Sequence, residues 1–172
     1  VPWTEGKETG KQLNPYGGSK WSNEGQMQSS TLNTVGLRFF TVYGPWGRPD
    51  MALFDFTKNI LEGNEITVYN YGDMKRDFTY IDDIVEGVVR VLKKPPKANP
   101  TFDKNQPDPA SSWAPHRVFN IGNSNPIELM KFISCLEQTL GVNAKKQFEP
   151  IQPGDVQATA ADTTALEEWI GF

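Results

Sequence analysis

VGLRFFTV, residues 35–42, is the stretch on which the reading of the whole chain turns. It is a short β-branched and aromatic run closed by Gly44-Pro45. Such a run reads as a strand buried on both faces, the habit of parallel sheets. Downstream, residues 52–61 return Leu53, Phe54, Phe56, Ile60 and Leu61 at helical intervals, with Gly63 as the stop. Residues 65–69 (EITVY) and 77–81 (DFTYI) read as strands flanking a turn at Tyr71-Gly72-Asp73. Asp82 or Asp83 suits the N-cap of a helix whose Ile84, Val85, Val88, Val89 and Leu92 form one buried face.

Pro95-Pro96 ends that helix, and the six prolines in 95–116 predict a long, mobile surface loop. A strand at 118–121 follows, then a helix over 127–140 with Leu129, Ile133, Leu136 and Leu140 in one stripe and Cys135 packed beside it as a small hydrophobe. A strand at 145–148 and a short helix at 164–170 close the pattern. Upstream, the first thirty residues are polar and Gly-rich, with little to bury. Strands alternating with helices define an α/β chain.

Composition narrows the function. The 172 residues carry 17 basic and 21 acidic side chains, a net charge of −4, which argues against wrapping a nucleic-acid backbone. One cysteine and one histidine, His116, exclude an internal disulfide and a His/Cys metal cluster, and leave a Ser-His-Asp triad with little support. No run of 18 apolar residues and no signal-peptide pattern is present, so the expected setting is soluble and cytoplasmic, with no membrane partner.

Tyr16-Gly-Gly-Ser-Lys20 puts a phenol and an ammonium at i and i+4. On a helix they share one face, about 6 Å apart along the axis. A nearby cation favours a phenolate, which a tyrosine with a free pKa of about 10 needs before it can act as a base near neutral pH. Spacing alone is weak evidence, because Tyr71 and Lys75 repeat it across a Gly-Asp pair that reads as a hairpin turn.

Four blocks supply the context: LRFFTVYGPWGRPDMA (37–52), YNYGDMKRDFTYIDDIVEG (69–87), FNIGNSNPIEL (119–129) and QPGDV (152–156). In this order they resemble the C-terminal half of extended short-chain dehydrogenase/reductases of the NAD-dependent epimerase/dehydratase family, and within it the UDP-glucuronate 4-epimerase group. The implied fold is the C-terminal part of a Rossmann-type sheet plus a small substrate-binding domain. Residues 1–50 would end the dinucleotide-binding domain, and 51–172 would form the substrate-binding domain with interleaved Rossmann elements. The N-terminal βαβ units are expected to be missing: no G-x-G-x-x-G opens a strand–helix unit, and the family's catalytic Ser/Thr would fall just before Val1.

The resemblance implies NAD as cofactor and a UDP-sugar as substrate, inverted at C4 through a transient 4-keto sugar, with the isolated chain inactive. Tyr16 would be the base and Lys20 its neighbour, both touching NAD. Thr41 and Arg48 would hold the uronate carboxylate, which the guanidinium fork suits. Arg76 would grip the pyrophosphate, Asp155 would accept from a ribose hydroxyl, and Val68, Tyr69 and Asn70 would line the uracil. Plainer readings stand beside these: Arg48 as a turn residue, Arg76 as a strand-edge charge, Asp155 as a turn former. The alternatives are a non-catalytic UDP-sugar-binding fragment, or a related nucleotide-sugar dehydratase or decarboxylase. In the family the Tyr16 helix helps build a homodimer; here Gly17, Gly18 and Gly25 and a thin apolar face argue against a native-like one.

Overall fold

The run at 35–42 is two strands, not one. In the computed structural model, which describes residues 2–7 and 10–171, β1 (Thr34–Phe39) and β2 (Thr41–Tyr43) leave Phe40 as a break and enter different sheets. β1 pairs in parallel with β5 (His116–Ile121), from Thr34↔His116 to Phe39↔Ile121. β2 pairs in parallel with β4 (Lys75–Tyr80), whose other edge takes β6 (Pro126–Glu128) antiparallel. β3 (Glu65–Tyr69) pairs in parallel with β7 (Lys145–Glu149). Five helices complete the order: α1 (Pro15–Gln28), α2 (Ala52–Glu62), α3 (Ile81–Leu92), α4 (Leu129–Leu140) and α5 (Thr164–Ile170).

Burial of β1 on both faces is overturned. Gly36 is its one buried residue and Phe39 is 52 % exposed, because β5 is the strand's only neighbour among the described residues. Two apolar clusters form instead. Phe56 and Ile60 of α2, Ile66 and Val68 of β3 and Ile133 of α4 make the first. Ile84 and Val91 of α3, Phe119 and Ile121 of β5 and Leu166 of α5 make the second. The helix stops at Gly63 and Gly141 hold, each at a left-handed φ that costs glycine nothing.

Several other expectations are corrected. β3 and β4 do not pair with each other, so Tyr71-Gly72-Asp73 is no hairpin; a 3-10 turn, Asn70–Gly72, with three positive φ values re-aims the chain. Tyr80 is the N-cap of α3 and makes no side-chain cap bond, which places Asp82 and Asp83 in the first turn, where their charge meets the positive helix end. Residues 126–128 pair with β4 before α4 starts at Leu129. Cys135 is exposed. Val85, Val89 and Leu92 of α3 are also exposed, so the buried face is Ile84, Gly87 and Val91.

The 95–116 segment is not all surface. Ala110, Ser111, Ser112 and Ala114 are buried, Ser111 bridges Arg117, and Asp108 accepts from the Ala110 amide (2.9 Å) and the Ser111 hydroxyl (3.1 Å). Nor is the N-terminal stretch idle: Trp3 bridges Ala161, and Glu5 is 7 % exposed, its carboxylate accepting from the Asn120 amide at 2.9 Å.

His116 opens β5 at 1 % exposure, its Nδ1 2.7 Å from Thr34 Oγ1 and its Nε2 without a partner. Burial holds its pKa below the ordinary value, against a smaller opposing pull from Glu24. The unfolded chain therefore takes up this proton first as pH falls. The stability contribution is whole above about pH 6.5 and is lost as pH drops through the folded-state value. His116→Asn is expected to flatten the fall in Tm between about pH 7.5 and 5.5; an unchanged fall in that variant would assign the slope elsewhere.

Candidate active site

Asn14 starts α1: its Oδ1 accepts from the Gly17 amide at 2.8 Å, and Pro15 follows as the first helical residue. Tyr16 is thus in the first turn and Lys20 one turn later, with Lys20 Nζ 5.2 Å from the Tyr16 ring centroid. Tyr16 is 70 % exposed. Both border a hollow of about 510 Å³ whose other walls include Gln12, Leu37, Arg38 and Phe39.

A second hollow, about 690 Å³, lies against Trp3, Lys7, Arg38, Thr41, Arg76 and Asp155, among others. Thr41 reaches it from the start of β2, opposite Phe78. Arg76 reaches it from β4, where its Nη1 donates to the carbonyls of Lys75 (2.9 Å) and Gln157 (3.2 Å) and its Nη2 to Asp155 Oδ1 (2.9 Å). Asp155 follows Gly154, at φ +83°, and its Oδ1 also accepts from the Val156 amide at 2.8 Å. With Arg38 paired to Glu24 and Arg76 to Asp155, Lys7 is the cation in excess on these walls, which suits an anionic ligand. The two hollows share Gln12, Arg38 and Phe39.

Thr41, Arg76 and Asp155 therefore come together, with Tyr16 and Lys20 in the adjoining hollow. Arg48 lies outside both. Its guanidinium is 73 % exposed and pairs with Asp50, Nε to Oδ1 at 3.0 Å. That hydrogen bond, with the Asp50 charge behind it, raises the Arg48 pKa. Val68, Tyr69 and Asn70 are not brought into either hollow: the Val68 side chain is wholly buried in the first cluster, Tyr69 is in register with Glu149, and the Asn70 amide donates to the Asp73 carbonyl at 2.6 Å. Alternation along β3 explains this, since Val68 follows Ile66 onto the core face.

Sequence reasoning passed over Arg38, a charge set inside the apolar run that decided the fold. Its Nε and Nη2 donate to the two Glu24 oxygens, each at 2.8 Å. The Glu24 hydrogen bond holds its pKa above the ordinary value in spite of burial. A lone arginine between strand residues was the available signal. Among the described residues no group of three or more His, Cys, Asp or Glu could hold a metal, and no helix is long and apolar enough to cross a membrane.

Parallel strands joined by helices, with a Tyr-x-x-x-Lys helix beside a cationic hollow, define the class: part of a Rossmann-type α/β fold of the extended short-chain dehydrogenase/reductase kind. Residues 2–122 match the NAD dependent epimerase/dehydratase family, and the chain belongs to it. Protein CapI of Staphylococcus aureus is 51 % identical over 93 % of this chain and 49 % of its own length. A probable UDP-glucuronate 4-epimerase of Rhizobium meliloti (strain 1021) is 42 % identical over 100 % of this chain and 52 % of its own. A Bacillus cereus UDP-glucuronic acid 4-epimerase, solved with UDP-glucuronic acid and NAD, superimposes with a TM-score of 0.76 at 31 % identity, covering 99 % of this chain and 54 % of that one. The chain spans about half the length of the relatives it matches.

Proposed function

We propose that this chain carries the proton-transfer pair and the sugar-nucleotide wall of an NAD-dependent nucleotide-sugar epimerase that interconverts UDP-glucuronate and UDP-galacturonate at C4. The observation that supports the reading is that the hollow bordered by Tyr16 and Lys20 and the one bordered by Thr41, Arg76 and Asp155 share Gln12, Arg38 and Phe39. The relatives named above support the substrate and the chemistry.

NAD fits the exposed end of α1. Tyr16 and Lys20 are both exposed there, and Lys20 makes no ion pair among the described residues, so both can turn to a ribose and a nicotinamide. NAD, when bound, supplies the hydride acceptor and donor that let C4 be oxidised and reduced again. Tyr16 Oη takes the proton of the sugar 4-hydroxyl and returns it. The Lys20 ammonium steadies the phenolate that forms in between. Arg76 donates to the pyrophosphate, and Asp155, already fixed by Arg76, accepts from a ribose hydroxyl. Thr41 and Arg48 meet the carboxylate, Arg48 by leaving Asp50, an exposed pair that is weakly held.

Calorimetry on this chain tests the binding half. UDP-glucuronate is expected to bind, and Arg76→Ala to weaken it by roughly 10- to 100-fold, the worth of hydrogen bonds to a charged group. Undiminished binding in that variant, or none in the parent chain, overturns the assignment of the second hollow.

A further inference from the structure

We infer that Arg38 is a positioning residue: clamped by Glu24, it sets the Tyr16–Lys20 end of α1 over the hollow that holds Arg76 and Asp155. The inference rests on the proposed function above for the meaning of Tyr16 and Lys20, but its geometry stands by itself. Helix α1 has little else to hold it. None of its residues is buried, and Gly17, Gly18 and Gly25 weaken it by about 1 kcal/mol each relative to alanine. Its apolar anchor is Met27, whose Cε is near Gly36, with the Met27 carbonyl accepting weakly from Thr34 Oγ1 at 3.4 Å. That anchor is at the C-terminal end, eleven residues and about 16 Å from Tyr16. The Gln28 side-chain amide, donating to the Pro109 carbonyl at 3.1 Å, is at the same end, so these contacts leave the Tyr16 end without a tertiary hold of its own.

The Glu24–Arg38 fork supplies the hold. Both N–H···O bonds are 2.8 Å, and the side chains are 23 % and 21 % exposed, so water screens them far less than a surface pair. Arg38 is in turn tied on its other nitrogen, Nη1, to the Glu5 carbonyl at 3.2 Å. The Glu5 carboxylate accepts from the amide of Asn120, the residue opposite Arg38 in the β1–β5 register. Asn120 Nδ2 donates to the carbonyls of Trp3 (2.7 Å) and Asp162 (3.2 Å). One polar chain therefore runs from α1 through β1 and β5 to the segment that follows Asp155 and Thr159, and Arg38 is the link that borders both hollows. A lysine there would keep the charge and lose the fork.

Hydrogen exchange on this chain, read by peptide, is the direct test. Arg38→Ala and Glu24→Gln are each expected to speed exchange of residues 15–28 about tenfold, while peptides of α2, β3, α4 and β7 change by less than about twofold. Arg38→Lys should fall between parent and alanine, and the exchanged pair Glu24→Arg with Arg38→Glu should restore part of the protection. Unchanged exchange in α1 overturns the inference, and so does a rise shared by all peptides, which would make the pair merely structural.

The second readout is kinetic, in a chimera that joins this chain to the half of the Bacillus cereus relative it does not cover. Arg38→Lys is expected to lower kcat about tenfold with KM for the UDP-sugar within about twofold, the split expected when only the transition state loses alignment. A rise in KM that accounts for the whole loss would show Arg38 binding substrate and overturn its positioning role. An inactive parent chimera would count against the proposed function and leave the exchange result to decide this inference alone.

Discussion

Asp77→Ala is expected to cost about 2–4 kcal/mol, since it strips the acceptor from the buried Ala161 N–H, at about 1–3 kcal/mol for a buried donor, and from the more open Asn123 and Ser124 N–H groups. Asp77 is 0 % exposed in β4; Oδ1 accepts from Asn123 (3.1 Å) and Oδ2 from Ser124 (3.1 Å) and Ala161 (2.9 Å). The site has no room to repack: a Cβ on Gly122 would stand 2.7 Å from Ala161 Cβ and 3.0 Å from Asp77 Oδ2. Against a total of about 5–15 kcal/mol for a domain, the loss shifts the urea midpoint strongly downward. Asp77→Asn keeps one acceptor oxygen but turns an amide toward an N–H, and should fall between parent and alanine. A midpoint unmoved in Asp77→Ala would mean that water replaces the carboxylate freely.

The consequence reaches the site. Asp77 is next to Arg76, and Ala161 follows the segment that contributes Asp155 and Thr159 to the second hollow. Loosening the carboxylate releases both sides of that wall, so ligand binding should weaken in step with stability. That coupling separates Asp77 from Arg76, whose removal should cost binding and leave the urea midpoint nearly in place, because its ion pair is with a partly exposed Asp155.

These residues also mark what could be read from the sequence. Helices α2, α3 and α4 were legible because their apolar residues recur at helical spacing and Gly63 and Gly141 end two of them. Parallel pairing was legible from the density of β-branched and aromatic residues in 35–42. The division of that run was not, because Phe40 is as good a strand residue as its neighbours and only the change of partner, from Ile121 to Phe78, ends β1. Asp77 looked like an ordinary strand carboxylate, since its three donors come from segments 46, 47 and 84 residues away. Arg38 hid for the same reason, its fork closing on a helix 14 residues upstream. Tyr16, Lys20, Thr41, Arg76 and Asp155 came from motif order, and the hollows they border supply a geometry that order could not.

Tyr16→Phe in the chimera with the Bacillus cereus half is expected to lower kcat by roughly 10²- to 10⁴-fold, the usual worth of a positioned acid–base group. Binding of the UDP-sugar should change little, because the residues lining the second hollow do not include Tyr16 and its ring stays in place under the Lys20 ammonium. Lys20→Met should show a smaller loss of kcat, since the phenol keeps its place at the start of α1 and loses only its neighbouring cation. The two variants together are diagnostic. Loss of turnover in both, with UDP-glucuronate bound as before, requires the phenol to act on the sugar and not merely to face it. Equal loss of binding and turnover in Tyr16→Phe would instead make α1 a wall of the sugar site, and proton transfer would need another owner; within the adjoining hollow Lys20 is the titratable group best placed to take it, one helical turn away on the same face.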